Sequence, residues 1–151
     1  MNLQEELKAL KERIAELEEL KKIECGFPQN NDKYWYVDDE GSVLSTFYDN
    51  HYIDRYHQTI GNFFQTEEQA EFAVEKLKVE AELRKFSRPF ECGAFNCCIS
   101  LDTDEDCLYL DNSRYFHSQG ALYFESKVKA QQAIESVGEE RIKKYIFGVE
   151  D

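Results

Sequence analysis

The sequence predicts an α+β protein that consists of an N-terminal helix and two similar units, each with three strands and a helix. Three observations predict this class. Leucines recur at heptad spacing through residues 2–24, strand-like runs alternate with turn residues further along, and one segment recurs about sixty residues downstream. Because each unit must bury an apolar face, we expect mostly antiparallel sheets with helices packed on one side.

The recurring segment defines the two units. Its first copy is residues 61–66, GNFFQT, and its second copy is residues 120–126, GALYFES. Upstream, Arg-Tyr-His at residues 55–57 matches Arg-Tyr-Phe-His at residues 114–117, with one inserted residue. We therefore predict a main domain over residues 25–151, with repeats at residues 33–86 and 94–148.

Residues 1–24 are predicted to form a helix with a coiled-coil seam. With Leu7 and Ile14 at a positions, Glu6 at g faces Lys11 at e of a parallel partner, and Arg13 at g faces Glu18 at e in the same way. These opposite charges favour a homodimer, and the alternative is that the stripe packs on the sheet of its own chain. The seam residues follow one another at alternating spacings of four and three: Leu3, Leu7, Leu10, Ile14 and Leu17.

The first unit is predicted to begin with a β-hairpin. Residues 34–37, YWYV, have the composition of a strand, residues 38–41, DDEG, form a turn, and residues 42–48 return as a second strand. We expect a polar loop at residues 49–60 and a short third strand at residues 61–64. The second unit repeats this order.

In the second unit, residues 95–101 and 107–110 are predicted strands on either side of an acidic turn at residues 103–106. Residues 121–124 are the predicted third strand.

Capping residues predict where the remaining helices begin and end. Thr66 is expected to cap a helix at residues 67–85, and Ser126 a helix that ends at Val137. Gly138 is expected to stop that helix before a last one at residues 139–147. The apolar stripe expected to be buried on the first of these helices is Ala70, Ala73, Leu77 and Leu83.

Composition limits the functional classes. The formal charge is −13, of which about −11 belongs to residues 25–151, and such a surface repels nucleic-acid phosphates. No apolar run is long enough to span a bilayer, and the N-terminus lacks the apolar core of a signal peptide, so we expect a cytoplasmic location. The odd number of cysteines, five, favours free thiols in a reducing compartment.

The sequence does not favour catalysis, a cofactor or a metal site. The acidic run after Leu101 resembles a calcium loop, but Cys107 stands where glycine is needed and Ser113 where glutamate is needed. The cysteines lack the paired spacing of zinc ligands. His57 and His117 occupy matching repeat positions, which favours a structural role over a catalytic one, so we predict that the protein is not an enzyme.

Acidic turns and aromatic side chains are the predicted partner-binding features. Residues 37–54 and residues 101–112 each contain five acids and no Lys or Arg. The alternatives are that both turns are acidic only because they are solvated, and that the aromatic residues form the core of a sheet that is covered on both faces. The predicted contact residues are Asp38, Asp39, Glu40, Asp102, Asp104, Glu105, Asp106, Trp35 and Tyr52.

The same residues carry a resemblance to a family of small proteins from phages and prophages of Gram-positive bacteria. The pattern is an aromatic strand, here residues 34–38, followed by G-N-x-F-x-T-x-E-x-A, here residues 61–70. The tail at residues 137–147 is similar as well, so the resemblance covers most of residues 34–147. It implies no catalytic residues, and it implies a role against host machinery such as that of anti-CRISPR proteins.

Three functions follow as hypotheses. The leading one is a non-enzymatic phage protein that forms a homodimer, has no direct contact with nucleic acid or membrane, and inhibits a host defence protein with a basic surface. The second is a binder that sequesters a nucleotide signal, with Arg55, Arg88 or Arg114 at the phosphates. The third is an oligomerising structural or regulatory protein.

Overall fold

A computed structural model describes residues 2–150 of the chain, and it has the predicted α+β class with an N-terminal helix. The chain divides into two compact units, unit 1 and unit 2, at the boundary between Glu71 and Phe72. In order, the elements are α1 Leu3–Cys25, β1 Lys33–Val37, β2 Val43–Phe47, α2 Tyr52–Thr59, α3 Glu67–Arg84, β3 Asn96–Asp102, β4 Cys107–Ser113, α4 Lys127–Val137 and α5 Glu139–Phe147. The boundary between the units lies inside α3.

Both predicted hairpins are present and antiparallel. In unit 1, β1 pairs with β2 from Lys33 opposite Phe47 to Val37 opposite Val43. Gly41 closes the turn with a φ of +83°, a value that glycine adopts without strain, and its N–H donates to the Asp38 carbonyl oxygen at 3.1 Å. In unit 2, β3 pairs with β4 in the same antiparallel sense.

The predicted third strand of each unit is reduced to isolated bridges. In unit 1, Phe64 pairs with Trp35 alone, and in unit 2, Phe124 pairs with Cys97. The cause in unit 1 is visible at Asn62, because its side chain occupies the backbone groups that a third strand would need. The Val37 N–H donates to Asn62 Oδ1 at 2.8 Å, and Asn62 Nδ2 donates to the Val37 carbonyl oxygen at 2.7 Å.

The prediction of a loop at residues 49–60 was wrong, since this segment contains helix α2. Its first turn is closed by an unusual cap, in which His51 Nδ1 accepts from the Ile53 N–H at 3.5 Å. The Asp54 carboxylate accepts from the His51 N–H at 3.1 Å in return, which completes a capping box. Histidine is not among the residues that normally signal a helix start, so the sequence pattern did not reveal this helix.

Unit 2 has a continuous apolar core between β3 and the helices around it. The buried core residues are Val79, Leu83, Cys97, Phe124, Ala130, Ala133, Val137 and Ile142.

Two predictions for the helices have different outcomes. Leu77, which was predicted to be buried on α3, is 56% exposed, because it lies about 200° around the helix from the buried Val79. The predicted cap of α4 is confirmed, since the Lys129 N–H donates to the Ser126 hydroxyl at 3.2 Å.

Candidate functional site

Helix α2 in unit 1 buries Asp54 and half-buries His57, but it exposes its apolar residues and Ile60, which directly follows it. Asp54 is only 6% exposed, whereas Tyr52, Ile53, Tyr56 and Ile60 are between 44% and 75% exposed. Since successive residues of an α-helix are about 100° apart around its axis, these four side chains fall within one sector of about 100°. A surface helix normally has the opposite arrangement, so this stripe, the α2 stripe, is the leading candidate for a functional surface.

The buried side of α2 is held by a hydrogen-bonded network with β1. The Tyr34 hydroxyl donates to Asp54 Oδ1 at 2.7 Å and lies 2.9 Å from His57 Nδ1. Because the hydroxyl has a single proton and gives it to the carboxylate, we assign the His57 proton to Nδ1, which then donates to the Tyr34 oxygen. Tyr36 stacks on the His57 ring with a centroid separation of 4.4 Å.

The protonation states of this network are fixed by burial and hydrogen bonding. Burial and the bond to Asp54 raise the pKa of Tyr34. Burial alone would raise the pKa of Asp54, but hydrogen bonds from Tyr34 and from the Asp49 and His51 N–H groups outweigh it and lower that pKa. Burial lowers the pKa of His57, and the Asp54 charge opposes this only in part. A neutral tyrosine, an ionised aspartate and a neutral histidine therefore hold α2 at neutral pH.

This triad has residue types that occur in catalytic sites, but two of its three members are buried. Tyr34 is 1% exposed and Asp54 is 6% exposed, so the hydroxyl and the carboxylate are almost closed to solvent. The Tyr34 hydroxyl ties Asp54 to β1, and the N–H groups of Asp49 and His51 hold the same carboxylate at the start of α2. The network therefore acts as a structural anchor that orients the α2 stripe.

The first predicted acidic turn lies near the end of α2. Asn62, two residues beyond Ile60, is bonded to Val37, which directly precedes the turn. The Asp38 carboxylate accepts from the N–H groups of Glu40 and Ser42 at 3.0 and 2.8 Å, so it stabilises the turn itself. The other two predicted contact residues, Asp39 and Glu40, are exposed.

The second acidic turn, in unit 2, has similar internal hydrogen bonds and an additional contact with a lysine. Asp102 accepts from the N–H groups of Asp104 and Glu105 at 2.9 and 3.1 Å, as Asp38 accepts from N–H groups in unit 1. Lys143 of α5, almost buried, donates to the Asp106 carbonyl oxygen at 2.6 Å and lies 3.7 Å from its carboxylate. This lysine offsets part of the negative charge, and Asp104 and Glu105 remain exposed.

The segment of unit 2 that matches α2 is not helical, yet it also exposes aromatic side chains. Tyr115 is 72% and Phe116 is 82% exposed. His117 stacks on Phe90 with centroids 4.7 Å apart, and it contacts the Tyr123 ring edge-on at 5.4 Å. Both histidines that match in the repeat are thus packed against aromatic rings, although His117 is exposed, and their structural role stays a prediction.

The remaining predicted contact residue of β1 is Trp35, which is half-buried. Its backbone forms the bridge to Phe64, and the Lys33 ammonium lies 4.6 Å from its ring centroid. Trp35 is therefore partly available to a partner, and Tyr52, the other predicted aromatic contact, belongs to the α2 stripe.

The predicted dimerisation residues form an uncovered stripe on α1. Leu3, Leu7, Leu10, Ile14 and Leu17 are between 50% and 82% exposed. Helix α1 itself is confirmed, and its pairing with a second copy stays a prediction.

The arginines proposed for phosphates differ in their availability. The Arg88 guanidinium donates to the carbonyl oxygens of Pro89 and Phe95 and to Asn96 Oδ1, so it serves the fold of unit 2. Arg114 donates to the Gly93 carbonyl oxygen at 3.2 Å, and Arg55 is exposed. The nucleotide hypothesis stays a prediction.

The described side chains form no metal-binding group, and two of the cysteines are poor nucleophiles. Among the side chains that the structure describes, which exclude those of residues 19 and 21–25, no group of three His, Cys, Asp or Glu is placed to hold a metal ion. Burial raises the pKa of both Cys97 and Cys98, which disfavours the thiolate form. In the same part of the chain, no helix has the length and apolar character needed to cross a membrane.

Comparisons with known proteins add no assignment. No family model matches the chain, and the chain shows no significant similarity to a curated protein or to a solved structure. Any functional proposal therefore rests on the sequence and on the geometry described above.

Sequence reasoning identified Tyr52 but missed the rest of the α2 stripe. Ile53, Tyr56 and Ile60 follow Tyr52 at spacings compatible with one helical face. This spacing indicates a helix, and so do Asp54 and His57, which lie three residues apart and would share the adjacent face. This signal was overlooked because α2 is capped by His51, which is not a common N-cap residue, and not by the preceding Asp49 or Asn50.

Proposed function

We propose that the protein is a non-enzymatic interaction protein whose unit 1 binds a protein partner through the α2 stripe. The observation that carries this proposal is the inverted burial of α2, in which Asp54 is buried while Tyr56 is 67% exposed. Exposed apolar side chains grouped on one helix are typical of surfaces that a partner covers. Tyrosine is also among the residues that contribute most to binding at interfaces.

The surroundings of the α2 stripe indicate the charge of the partner. Protein interfaces commonly have an apolar centre and a polar rim. In unit 1, the exposed Asp39 and Glu40 lie on the turn that follows Val37, whose backbone is bonded to Asn62 near the end of α2. A matching partner has an apolar groove bordered by Lys or Arg. A basic surface of this kind is a feature of nucleic-acid-binding proteins.

We further propose a phage or mobile-element origin and a bacterial host protein as the partner, most plausibly a defence component in the host cytoplasm. The resemblance of residues 34–38 and 61–70 to phage proteins supports the origin. The net charge of −13 supports inhibition by occupation of a basic nucleic-acid site, because the acidic surface competes with phosphate for the same side chains. This function requires no metal and no cofactor.

Capture of partners from a host lysate tests the role of the α2 stripe. We expect that Tyr52→Ser with Tyr56→Ser removes a partner that the wild type captures, because it removes two apolar anchors. The matched control is Tyr115→Ser with Phe116→Ser in unit 2. These two side chains are at least as exposed as those of Tyr52 and Tyr56, and their loss should leave capture unchanged. Equal capture by the wild type and the α2 variant would contradict the proposal.

The acidic rim is tested separately with charge-matched variants. Asp39→Asn with Glu40→Gln should weaken capture severalfold and reduce its salt dependence. The control Glu68→Gln with Glu71→Gln removes the same charge from exposed positions of α3. If both pairs weaken capture equally, only the net charge matters and the rim has no specific role.

We also propose that α1 joins two copies as a parallel coiled coil, which doubles the number of binding surfaces. The exposed seam and the g–e pairs Glu6–Lys11 and Arg13–Glu18 support this pairing. Light scattering should give a monomer mass for Ile14→Lys, at an a position, and a dimer mass for the neighbouring control Ala15→Lys. A monomeric wild type would exclude the dimer.

A further inference from the structure

Unit 2 contains a cleft of about 490 Å³ that opens onto its apolar core. The buried part of its lining is hydrocarbon, contributed by Leu83, Phe124 and Ile142. The half-buried side chains of Ile99 and Leu122 also line it. This volume lies in the range typical of small-molecule sites, and the lining is of the apolar kind that such sites have.

The exposed part of the lining carries charge. Arg84 and Glu80, one turn apart on α3, form an ion pair between Nη2 and Oε2 at 3.0 Å. Among the residues that the structure describes, this contact engages only Nη2 of Arg84, so Nη1 and Nε remain available as donors. The Arg84 side chain is 57% exposed, which allows it to turn toward a bound anion.

A second hollow of about 460 Å³ adjoins the cleft, since Arg84, Ala121 and Leu122 line both. It adds the cationic Arg88 and the ring of His117 to the lining. The chain as a whole carries 18 basic and 31 acidic side chains, so two guanidinium groups in one groove are a local exception. Arg88 is engaged by the fold and Glu80 offsets part of the Arg84 charge, so the donors left for an anion at this end are Nη1 and Nε of Arg84. The groove therefore combines a hydrocarbon end with an end that offers guanidinium donors.

We propose that this groove binds a small amphipathic anion, a medium-chain carboxylate, with its tail in the cleft and its carboxylate at Arg84. A nucleotide fits the cleft less well, because the polar edges of a base would lose their hydrogen bonds against Leu83, Phe124 and Ile142. The proposal goes beyond the partner-binding function and is independent of it, since every residue of the groove belongs to unit 2.

Calorimetric titration of the full chain with octanoate, below its micelle threshold, tests this site. We expect saturable binding of one octanoate per chain and binding of the neutral octan-1-ol that is about tenfold weaker. Arg84→Gln should weaken octanoate binding roughly fivefold to tenfold and leave octan-1-ol unchanged. The matched control is Lys85→Gln, which removes a neighbouring exposed charge outside the lining and should have no effect.

A second variant tests the position of the tail. Ala121→Phe fills the part that the cleft and the hollow share, and it should abolish binding of both octanoate and octan-1-ol while circular dichroism remains native. Tyr52→Ser, in the α2 stripe, should leave binding unchanged. The proposal is overturned if native wild type does not bind octanoate, if Arg84→Gln binds it equally well, or if Ala121→Phe binds as wild type does.

Discussion

Two segments of matching sequence, residues 55–57 in unit 1 and residues 114–117 in unit 2, have different backbones and yet share one arrangement. In both, a histidine packs on aromatic rings while the tyrosine is exposed, at 67% for Tyr56 and 72% for Tyr115. The first segment is part of helix α2, and the second has no helix.

The difference originates at matching positions of the first strand in each unit. Trp35 bridges Phe64 in unit 1, and Cys97 bridges Phe124 in unit 2. When the two units are aligned on these bridges, the buried Tyr34 of unit 1 matches the buried Asn96 of unit 2. Tyr34 is long enough to bond Asp54 and His57 on α2. Asn96 instead bonds Arg88 and the nearby backbone, including the Glu91 N–H and the Ser113 carbonyl oxygen.

This comparison shows how a buried polar side chain can decide what a surface presents. In unit 1, the partners of the buried tyrosine are α2 side chains, so the polar face of α2 turns inward and its apolar face turns outward. In unit 2, the partners of Asn96 are mostly backbone groups, and the segment that follows β4 is not held as a helix. The α2 stripe is thus a consequence of the network beneath it.

The largest effect is expected for Asn96→Ala. The substitution leaves the Arg88 guanidinium, the Glu91 N–H and several carbonyl oxygens without their partner in a fully buried position. We expect a loss of about 2–4 kcal/mol in the free energy of unfolding, measured by urea denaturation. The exposed Asn112→Ala is the control and should change it by less than about 0.5 kcal/mol. Similar values for both variants would contradict the role assigned to Asn96.

A smaller loss is expected for Tyr34→Phe, which removes one hydroxyl from the network. Asp54 then loses a donor while it stays buried, at a cost of about 1–3 kcal/mol. Trp35, the single tryptophan of the chain, lies next to Tyr34 in β1 and reports the unfolding of unit 1 by its fluorescence. Tyr56→Phe, on the exposed stripe, is the control and should unfold as the wild type does.

The smallest effect is a pH dependence that arises from His57. Its pKa is below the ordinary value of about 6.5 because it is buried, so the unfolded chain takes up this proton at a higher pH than the folded chain. The contribution to stability is complete above about pH 7.5 and declines as the pH falls through 6.5. His57→Gln should therefore show a shallower decline between pH 7.5 and 5.5, and a slope equal to that of the wild type would contradict this assignment.

The hairpins and most helices could be predicted because their signals are local. Strand composition at residues 34–37 and caps such as Ser126 act within a few residues, and the helix at Glu139–Phe147 was predicted with its observed bounds. The third strands could not be predicted in this way, because the interactions that decide them are not local. Whether residues 61–64 form a strand depends on the Asn62 side chain and on Val37, which lies 25 residues away.

The candidate site was predictable only in part for the same reason. The acidic turns were evident from composition, but the distinction between the turn-forming Asp38 and the exposed Asp39 requires the backbone geometry. The outward orientation of Tyr52 and Tyr56 depends on a buried bond to Tyr34, which no periodicity reveals. A helix that exposes its apolar face also contradicts the assumption on which pattern reading is based.

The central claim, that α2 presents an apolar face outward on a buried polar anchor, is tested most directly by hydroxyl-radical footprinting of the free protein. Tyr52 and Tyr56 should be oxidised readily, at rates close to that of the exposed Tyr115, whereas Tyr34 should be protected at least tenfold, roughly in proportion to its 1% exposure. Oxidation of Tyr34 as fast as that of Tyr56, or protection of both tyrosines of α2, would contradict the account.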